Sequence, residues 1–302
     1  MPAGVSLSSA PSRIRALLIV NPVARRAAIE RDEAVRAFAA AGAACDVMET
    51  TATGDAARLA RQHATKYSMV FVLGGDGTAV EVIGALANRG PAVGVLPGGT
   101  GNLLARALGI PMRMAAAVPA LLKGRERRFD LGQLADGRHF AIGLGVGVDE
   151  AMIAHASPQL KQRIGFLAYF WSGTLAGLKV ERIAYRLTAD GVVHEGHAVG
   201  VLVANLGTVL GGLITLGKEI RPDDGVLHVV IFAPRHLWDA FRVFGRMLTG
   251  TVGNDACVSY VAGSTIRLET TPPRRAQADG ELLGLTPLDI TVRPGAARLL
   301  IP

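Results

Sequence analysis

The chain has 302 residues, of which 50% are hydrophobic and 19% are charged. This length favours two packed domains, and the composition is that of a globular α/β protein and excludes an intrinsically disordered chain. The formal net charge is +7, and most of the basic excess lies in residues 1–130, which suits phosphates, an anionic membrane or nucleic acid. No zinc-finger spacing or RNA-binding signature occurs, so we do not expect a nucleic-acid partner.

Residues 1–13 lack the apolar segment of a signal peptide and are predicted to form a loose tail. The first domain is predicted over residues 14–130, because short apolar segments alternate there with helical patterns, as in βαβ units with a mostly parallel sheet. Strands are predicted at residues 15–20, 44–49, 69–73 and 92–96, and helices at 27–41, 55–66, 79–88 and 102–108. Such sheets bind ligands at the carboxyl ends of their strands, so the loops after Val20, Leu73 and Leu96 are expected to line one site.

From residue 127 the pattern becomes rich in β-strands and predicts an antiparallel, sandwich-like second domain over residues 131–289. Residues 290–302 are candidates to complete the first domain. Strands are predicted at 127–134, 139–145, 183–189, 192–204 and 226–232, and helices at 161–178 and 235–248. The uncharged segment 198–217 contains Val and several glycines, which predicts a buried strand and a glycine loop rather than a membrane-spanning helix.

The strongest chemical signal is the turn Gly74-Gly75-Asp76-Gly77-Thr78, which lies between a buried strand and a predicted helix. This arrangement turns backbone N–H groups and the positive end of a helix dipole towards an anion. Asp76 alone would repel a phosphate, so its carboxylate indicates a bound Mg²⁺ or a hydrogen bond to the turn backbone. A turn built only for its geometry is the alternative.

A second glycine turn, Gly98-Gly99-Thr100-Gly101-Asn102, follows the next predicted strand. Thr100 and Asn102 can donate hydrogen bonds to a phosphate, and Asn102 is equally suited to be a helix N-cap. Neither turn has the Walker or the Rossmann pattern. The sequence therefore predicts an anion site between two glycine turns that belongs to neither of those classes.

With these motifs the chain resembles the diacylglycerol kinase catalytic-domain family, which includes sphingosine and ceramide kinases and bacterial lipid kinases. The resemblance covers nearly the whole chain. Its ordered motifs are Asn21-Pro22, Thr53-Gly54-Asp55-Ala56, Gly74 to Thr78 with Glu81, Gly98 to Asn102 with Ala105-Arg106, Gly145-Val146-Gly147-Val148-Asp149, Lys161 to Tyr169, Asp223-Asp224-Gly225-Val226-Leu227 and Asp279-Gly280-Glu281. Gly-Gly-Asp-Gly-Thr alone also resembles the nucleotide turn of NAD kinases and phosphofructokinases.

The resemblance implies bound ATP and Mg²⁺. The residues that it assigns to the ATP site are Asn21, Pro22, Arg25, Thr53, Gly74, Gly75, Asp76, Gly77, Thr78, Glu81, Gly98, Gly99, Thr100, Gly101 and Asn102. Either Asp279 or Glu281 would be the general base, and Asp76 would be the catalytic partner of the metal. A structural Mg²⁺ would be held by the Asp224 carboxylate and by main-chain oxygens of Arg221 and Val226, although a plain β-turn is the alternative there.

Two departures from the family pattern bear on the site. Many bacterial members have Ser-Gly where this chain has Ala24-Arg25, so the guanidinium of Arg25 or Arg26 is expected to replace a phosphate contact. Many members also have Asp after the asparagine of the second glycine turn, whereas this chain has Leu103, which is similar to the sphingosine kinases. The absence of this Asp weakens the assignment of a metal at that position.

The resemblance as a whole implies a cytoplasmic kinase that acts at a membrane surface and transfers the γ-phosphate of ATP to a hydroxyl of a diacylglycerol- or sphingosine-like lipid. The basic-then-aromatic segment from Lys161 to Trp171 suits a membrane surface, or equally a domain-packing helix. A kinase of NAD or another soluble alcohol and a non-catalytic lipid or nucleotide sensor are the alternatives. The sequence leaves a homodimer open.

Overall fold

The computed structural model of the chain describes residues 14–22, 27–147, 182–209 and 212–302. The described helices are α1 (Ala27–Ala40), α2 (Asp55–His63), α3 (Asp76–Ala85), α4 (Leu103–Ala107), α5 (Met114–Lys123) and α6 (Leu237–Thr249). The described strands are β1 (Arg15–Val20), β2 (Ala44–Glu49), β3 (Met69–Gly74), β4 (Ala92–Pro97), β5 (Arg125–Leu134), β6 (His139–Phe140), β7 (Gly143–Val146), β8 (Ile183–Ala189), β9 (Val192–Ala198), β10 (Gly200–Ala204), β11 (Thr208–Val209), β12 (Ile214–Thr215), β13 (Leu227–Phe232), β14 (Val258–Gly263), β15 (Thr265–Thr271), β16 (Arg275–Ala278), β17 (Glu281–Leu285) and β18 (Leu288–Ile301). The predictions for Arg25, Arg26, Val148, Asp149 and residues 161–178 lie outside the described residues.

The first domain is built on four parallel strands in the order β2-β1-β3-β4. Strands β3 and β4 are continuous apolar segments because both of their faces are covered, and almost all of their residues are buried. Helices α1, α2, α3 and α5 contribute buried side chains to the same core. The predicted α/β domain with a mostly parallel sheet is confirmed.

Strand β18 continues this sheet into the second domain. Near its end, Leu299 pairs in parallel with Val93 of β4, while its first residues pair antiparallel with β15. Strand β5 runs antiparallel along most of β18, with a register shift between Arg293 and Ala297. Gly295 lies in that irregularity with φ +56°, a conformation that favours glycine. One sheet therefore runs in the order β2-β1-β3-β4-β18-β15-β8-β9.

The second domain is closed by a six-stranded sheet in the order β14-β13-β10-β7-β16-β17, in which every pairing is antiparallel. Buried side chains of this sheet, such as Val203 and Val229, pack with Leu187 and Leu268 from β8 and β15 of the large sheet in one core. The predicted antiparallel, sandwich-like domain is confirmed. None of the described helices is both long and apolar enough to cross a bilayer.

Several elements differ from the prediction, and strands β14 to β17 were not predicted. Helix α3 begins at Asp76 rather than at residue 79, because Gly75 is extended and its carbonyl accepts the amide of Ala79 to close the first turn. The segment predicted as one strand at 192–204 forms two strands that are separated at Val199. The sequence analysis missed α5, which contains Pro119 in its interior.

Candidate functional site

The loops after β1, β3 and β4 meet at one edge of the parallel sheet, as the strand order predicts. The amide of Asn21 donates to the carbonyl of Leu73 at 2.9 Å, and its side-chain Nδ2 donates to Thr78 Oγ1 at 3.0 Å. The amide of Gly98 donates to the carbonyl of Gly74 at 3.3 Å. The two glycine turns and the Asn-Pro loop are therefore joined directly. Pro22 follows in this loop with an exposed side chain.

The two glycine turns pack backbone against backbone. A Cβ on Gly98 would lie 2.8 Å from the Gly74 nitrogen, and a Cβ on Gly99 would lie 2.7 Å from the Gly75 Cα. Neither contact leaves room for a side chain, so glycine is required by the close approach. Among the described residues, no atom lies within 4 Å of the Cβ position of Gly75, which immediately precedes α3. These residues therefore leave space before the N-terminus of α3, where an anion can approach.

Asp76 is the first residue of α3 and is half-buried, and its carboxylate hydrogen-bonds to backbone as one of the two predicted roles requires. Its two carboxylate oxygens accept the amides of Leu103 and Leu104 at 3.0 and 2.9 Å. Asp76 thus caps the start of α4 and fixes the second glycine turn against the first. Burial raises the pKa of Asp76, and the amide donors oppose this rise. The amides of Leu103, Leu104 and Asp76 itself occupy fewer acceptor positions than the roughly four that a carboxylate has, so the residue fits a Mg²⁺ partner.

Asn102 does not act as a side-chain N-cap. It has φ +48°, its Oδ1 accepts the Gly99 amide at 2.8 Å, and its Nδ2 donates to the Gly99 carbonyl at 2.7 Å. The two bonds close the second glycine turn on itself and leave Asp76 to cap α4. Thr100 is exposed at the tip of this turn, next to Gly101.

The loop that contains Thr53 is held against α3 by Glu81. Thr53 is exposed, and Gly54 has φ +85° immediately before α2. Burial raises the pKa of Glu81, while hydrogen bonds from the amides of Gly54 and Ala57 oppose the rise. Glu81 therefore caps α2 and holds the loop that contains Thr53 against α3.

Asp279 is anchored to the segment between β6 and β7. Its carboxylate accepts the amides of Ala141, Ile142 and Gly143 at 2.6, 3.0 and 2.9 Å. Asp279 and Gly280 have φ +47° and +93°, so the pair forms the tight turn between β16 and β17. Burial raises the pKa of Asp279 to about 6, and the three amide donors oppose this rise. Three backbone donors occupy most of the carboxylate's acceptor positions.

Glu281 occupies a different environment, because its exposed side chain crosses to the first turn of α3. A Cβ built on Gly77 would overlap the Glu281 carboxylate, so the two residues are in direct contact. The hydrogen bond with Asp136 raises the pKa of the Arg138 guanidinium, and the negative charge of Glu281 adds to this rise and to that of the Glu81 pKa. The structure therefore brings the acidic turn, Asp279-Gly280-Glu281, against the first glycine turn across the domain boundary. Glu281 is the accessible acid of this turn.

The turn predicted to hold a structural Mg²⁺ is stabilised by hydrogen bonds of the Asp224 side chain. Asp224 Oδ1 accepts the amide of Val226 at 3.2 Å, and its Oδ2 lies 3.0 Å from His228 Nε2. Arg221 is exposed at the start of this turn. Among the described residues, no group of three or more His, Cys, Asp or Glu side chains could hold a metal ion. Each Asp224 oxygen has one protein partner and keeps a lone pair, so this geometry fits both the β-turn and a metal ligand, and the structural Mg²⁺ stays a prediction.

Two buried polar residues at the domain boundary were missed by the sequence analysis. Asp130 is 2% exposed, and its carboxylate accepts the amides of Gly225 and Gly295 at 2.7 and 2.6 Å. Asn205 is 1% exposed, and its Nδ2 donates to the carbonyls of Asp130 and Ala141, both at 2.8 Å. The signal in the sequence was a polar residue within or directly after a strand. Burying such a side chain is costly unless it is hydrogen-bonded, so its position indicates a buried hydrogen-bond network.

A cavity of about 530 Å³ lies between the end of α4 and the loops around β11 and β12. Its walls include Leu108, Phe129, Leu206 and Ile220. None of its lining residues belongs to the glycine turns or to the acidic turn. The cavity is therefore separate from the site that these turns form.

Comparisons with known proteins agree with this arrangement. The family described as "Diacylglycerol kinase catalytic domain" matches residues 15–134, and the family described as "YegS C-terminal NAD kinase beta sandwich-like domain" matches residues 143–301. A diacylglycerol kinase of Bacillus subtilis (strain 168) is 30% identical over 280 residues, covering 90% of this chain and 91% of the relative. A protein of Pseudomonas aeruginosa named "Probable lipid kinase YegS-like" is 34% identical over 272 residues, covering 89% and 88%.

The similarity extends to solved structures. A crystal structure of a diacylglycerol kinase from Bacillus anthracis str. Sterne superposes with a TM-score of 0.78 at 27% identity, covering 95% of this chain and 97% of that chain. The parallel sheet with its glycine turns and the antiparallel sandwich correspond in order to the two matched families. The chain therefore belongs to the diacylglycerol kinase family of lipid kinases.

Proposed function

We propose that the chain is an ATP-dependent kinase that transfers the γ-phosphoryl group to a hydroxyl of a diacylglycerol- or sphingosine-like lipid at a membrane surface. The observation that carries the proposal is the contact between the Glu281 carboxylate and Gly77 in the first turn of α3. It joins an accessible acid to a helix N-terminus that faces open space. Phosphoryl transfer needs a positioned base and a positioned, neutralised phosphate at one place.

The nucleotide phosphates would bind in front of Gly75, where backbone amides and the positive end of α3 point outward. Asn21 and Thr78 lie at the rim of this space and are hydrogen-bonded to each other. Thr53 and Thr100 are exposed on the two flanking loops and would contact the remaining parts of ATP. Mg²⁺ bound with ATP would neutralise the phosphate charge, and Asp76 is the carboxylate that would hold it.

Glu281 is the better candidate for the base. Its carboxylate is exposed, whereas three amides occupy the Asp279 carboxylate. In the proposed step the substrate hydroxyl gives its proton to Glu281 as its oxygen bonds to the γ-phosphorus. The bond from that phosphorus to the β,γ-bridging oxygen breaks, and ADP leaves. A carboxylate suffices because the proton is transferred late in a loose transition state.

A screen with radiolabelled ATP tests the proposal. Vesicles that contain diacylglycerol, sphingosine, ceramide, monoacylglycerol or phosphatidylglycerol are incubated with the full chain, and phosphorylated lipid is separated and counted. Labelled product from at least one lipid is expected, and its loss in Glu281→Gln is expected as well. The control is Glu195→Gln, which neutralises an exposed acid on β9 that pairs with Arg186. Absence of labelled lipid in every reaction would reject a lipid kinase.

Phosphorylation of NAD is the second candidate function. The observation that favours it is the match of residues 143–301 to a domain described as NAD kinase-like. NAD without vesicles therefore forms one arm of the same screen. Labelled NADP with no labelled lipid would replace the first proposal by this one, and ATP binding without any labelled product would indicate a sensor.

A further inference from the structure

Helix α6 presents large apolar side chains to solvent, and the candidate site does not use them. The buried side of α6 consists of Ala240, Val243 and Met247. Trp238, on the opposite side of the helix, is 82% exposed. Three further residues, which are 41–44% exposed, form the apolar stripe: Leu237, Phe241 and Leu248. An exposed apolar surface of this kind usually marks an interaction site.

The spacing along α6 joins these residues into one continuous surface. Leu237, Phe241 and Leu248 fall within about 40° of each other around the helix axis, because they are four and seven residues apart. The ring centroids of Phe241 and Trp238 are 6.2 Å apart. From Leu237 to Leu248 the stripe is about 16 Å long, since each helical residue adds 1.5 Å. The surface therefore runs along α6 and suits a flat partner that lies parallel to the helix axis.

Basic side chains lie on the other side of Trp238. Arg242 follows Trp238 by about one turn, roughly 40° further around the axis, and Arg246 follows Arg242 by another turn. These two arginines form the basic flank, and their side chains are 44% and 38% exposed. Their shared partner Asp255 has a fully buried side chain, and that of Asp239 is only 17% exposed. The helix therefore presents positive charge beside Trp238, with its acidic partners behind.

We propose that α6 lies along the surface of an anionic bilayer. Trp238 and the apolar stripe insert at the boundary between headgroups and acyl chains, and the basic flank contacts the headgroups. This inference rests on the proposed function, because a lipid substrate has to be reached at a bilayer. Trp is favoured at that boundary, and apolar side chains beside basic charge are typical of interfacial helices. The exposed Arg235, directly before α6, adds positive charge to the same end.

A second copy of the chain fits this face of α6 less well. Across a two-fold axis the same surface meets itself. In an antiparallel pair of α6 helices the two basic flanks would face each other, and in a parallel pair each basic flank would face an apolar stripe. Both arrangements are unfavourable, because like charges repel and a charge against apolar groups loses its hydration. An anionic bilayer satisfies both sides of Trp238 at once.

Vesicle sedimentation without ATP tests this face. The full chain is mixed with vesicles of phosphatidylcholine alone or of equal parts of phosphatidylcholine and phosphatidylglycerol. The main variant is Trp238→Ser, which should keep the parental melting curve because the side chain is exposed and the two residues have similar helix propensities. Leu248→Ser tests the other end of the stripe. Arg235→Gln tests the contribution of charge.

Two comparison variants remove exposed apolar side chains elsewhere. Val192→Ser/Val193→Ser changes the tip of the β8–β9 hairpin, where the exposed fractions are 59% and 46%. Leu282→Ser/Leu285→Ser changes the edge strand β17, where the fractions are 51% and 55%. Both should bind anionic vesicles as the parental chain does.

The parental chain should sediment with the anionic vesicles and much less with phosphatidylcholine alone. Trp238→Ser should lose roughly tenfold or more in its partition coefficient, and Leu248→Ser should show a smaller loss. Arg235→Gln should lose roughly fivefold on anionic vesicles only, the contribution of one basic residue near such a surface. If either Trp238→Ser or Leu248→Ser alters the melting curve, the other decides the test.

Four results would overturn the proposal: absence of parental binding, equal binding to both kinds of vesicle, unchanged binding of Trp238→Ser, or an equal loss in either comparison variant. A Trp238-dependent dimer in sedimentation velocity without vesicles would also overturn it and assign the face to a second copy.

Failure of this inference is distinguishable from failure of the proposed function. Trp238-dependent vesicle binding by a chain that phosphorylates no lipid would reject only the kinase. Lipid phosphorylation by a chain whose vesicle binding does not depend on Trp238 would reject only this docking face.

Discussion

Asp279 and Glu281 are separated by one residue, but the structure gives them different environments. Neutral isosteres can distinguish a structural anchor, expected for Asp279, from a general base, expected for Glu281. In Asp279→Asn, the amide oxygen can keep two of the three backbone donors. The side-chain NH₂ of the new asparagine then replaces Oδ2 and faces the backbone N–H of Ala141, which loses its acceptor. A buried donor left without an acceptor costs about 1–3 kcal/mol. Asp279→Asn should therefore lower the free energy of unfolding by at most about that amount, because removing the buried charge that raises the pKa of Asp279 offsets part of the loss.

Glu281→Gln should have the opposite profile. Its side chain is exposed, so the free energy of unfolding should change by less than about 0.5 kcal/mol. Loss of a general base should lower kcat by roughly 10² to 10⁴, and KM for ATP should change little because the glycine turns are untouched. Urea unfolding and steady-state turnover of labelled lipid measure the two quantities. Glu195→Gln is the control that should change neither.

Two outcomes would refute this reasoning. A folded Glu281→Gln protein with parental turnover would show that the exposed acid is not the base. An Asp279→Asn protein with parental stability and a loss of at least about 10² in kcat would transfer the role to Asp279. Stability and turnover must both be measured, since a destabilised site also loses activity.

Three further predictions follow from the same contacts. Gly98→Ala should lower the free energy of unfolding by about 1–3 kcal/mol and raise KM for ATP, because its Cβ would push against Gly74. Urea unfolding and ATP titration measure these two effects. A variant with parental stability and parental KM would contradict the packing of the turns. Asp76→Ala should lose about 1–2 kcal/mol of stability as well as turnover, because α4 loses its cap, and unchanged urea unfolding would contradict the capping role. The pKa of Asp279 is raised from 3.8 to about 6, so between these pH values the folded state holds a proton on this carboxyl that the unfolded state has released. The stabilisation of the folded state by this proton is complete below about pH 4 and is lost as the pH rises through 6. The parental chain should show this fall of about 2–3 kcal/mol relative to Asp279→Asn in urea unfolding at several pH values, and parallel pH profiles would contradict it.

The first domain was the most predictable part of the chain. Strand β1 has its predicted bounds, and every residue after Arg15 is apolar and buried because both faces of the strand are covered. The start of α3 was not predictable from periodicity, since Gly75 is the extended residue and the helix then includes Asp76. The partner of Asp76 was also hidden, because Leu103 lies 27 residues away and contributes only a backbone amide. A backbone donor leaves no signature in the side-chain pattern.

The same limit applies across the domain boundary, where the contacts that hold the candidate site are between carboxylates or amides and the backbone. Asn205 donates to the carbonyl of Ala141, whose amide in turn donates to Asp279. Asp279 begins the turn that places Glu281 against Gly77. Each buried polar group in this series would be costly without its partner, so the series permits one arrangement of the acidic turn rather than several. The apolar cores make the two domains stable, and these polar contacts fix where the accessible acid lies relative to the glycine turns.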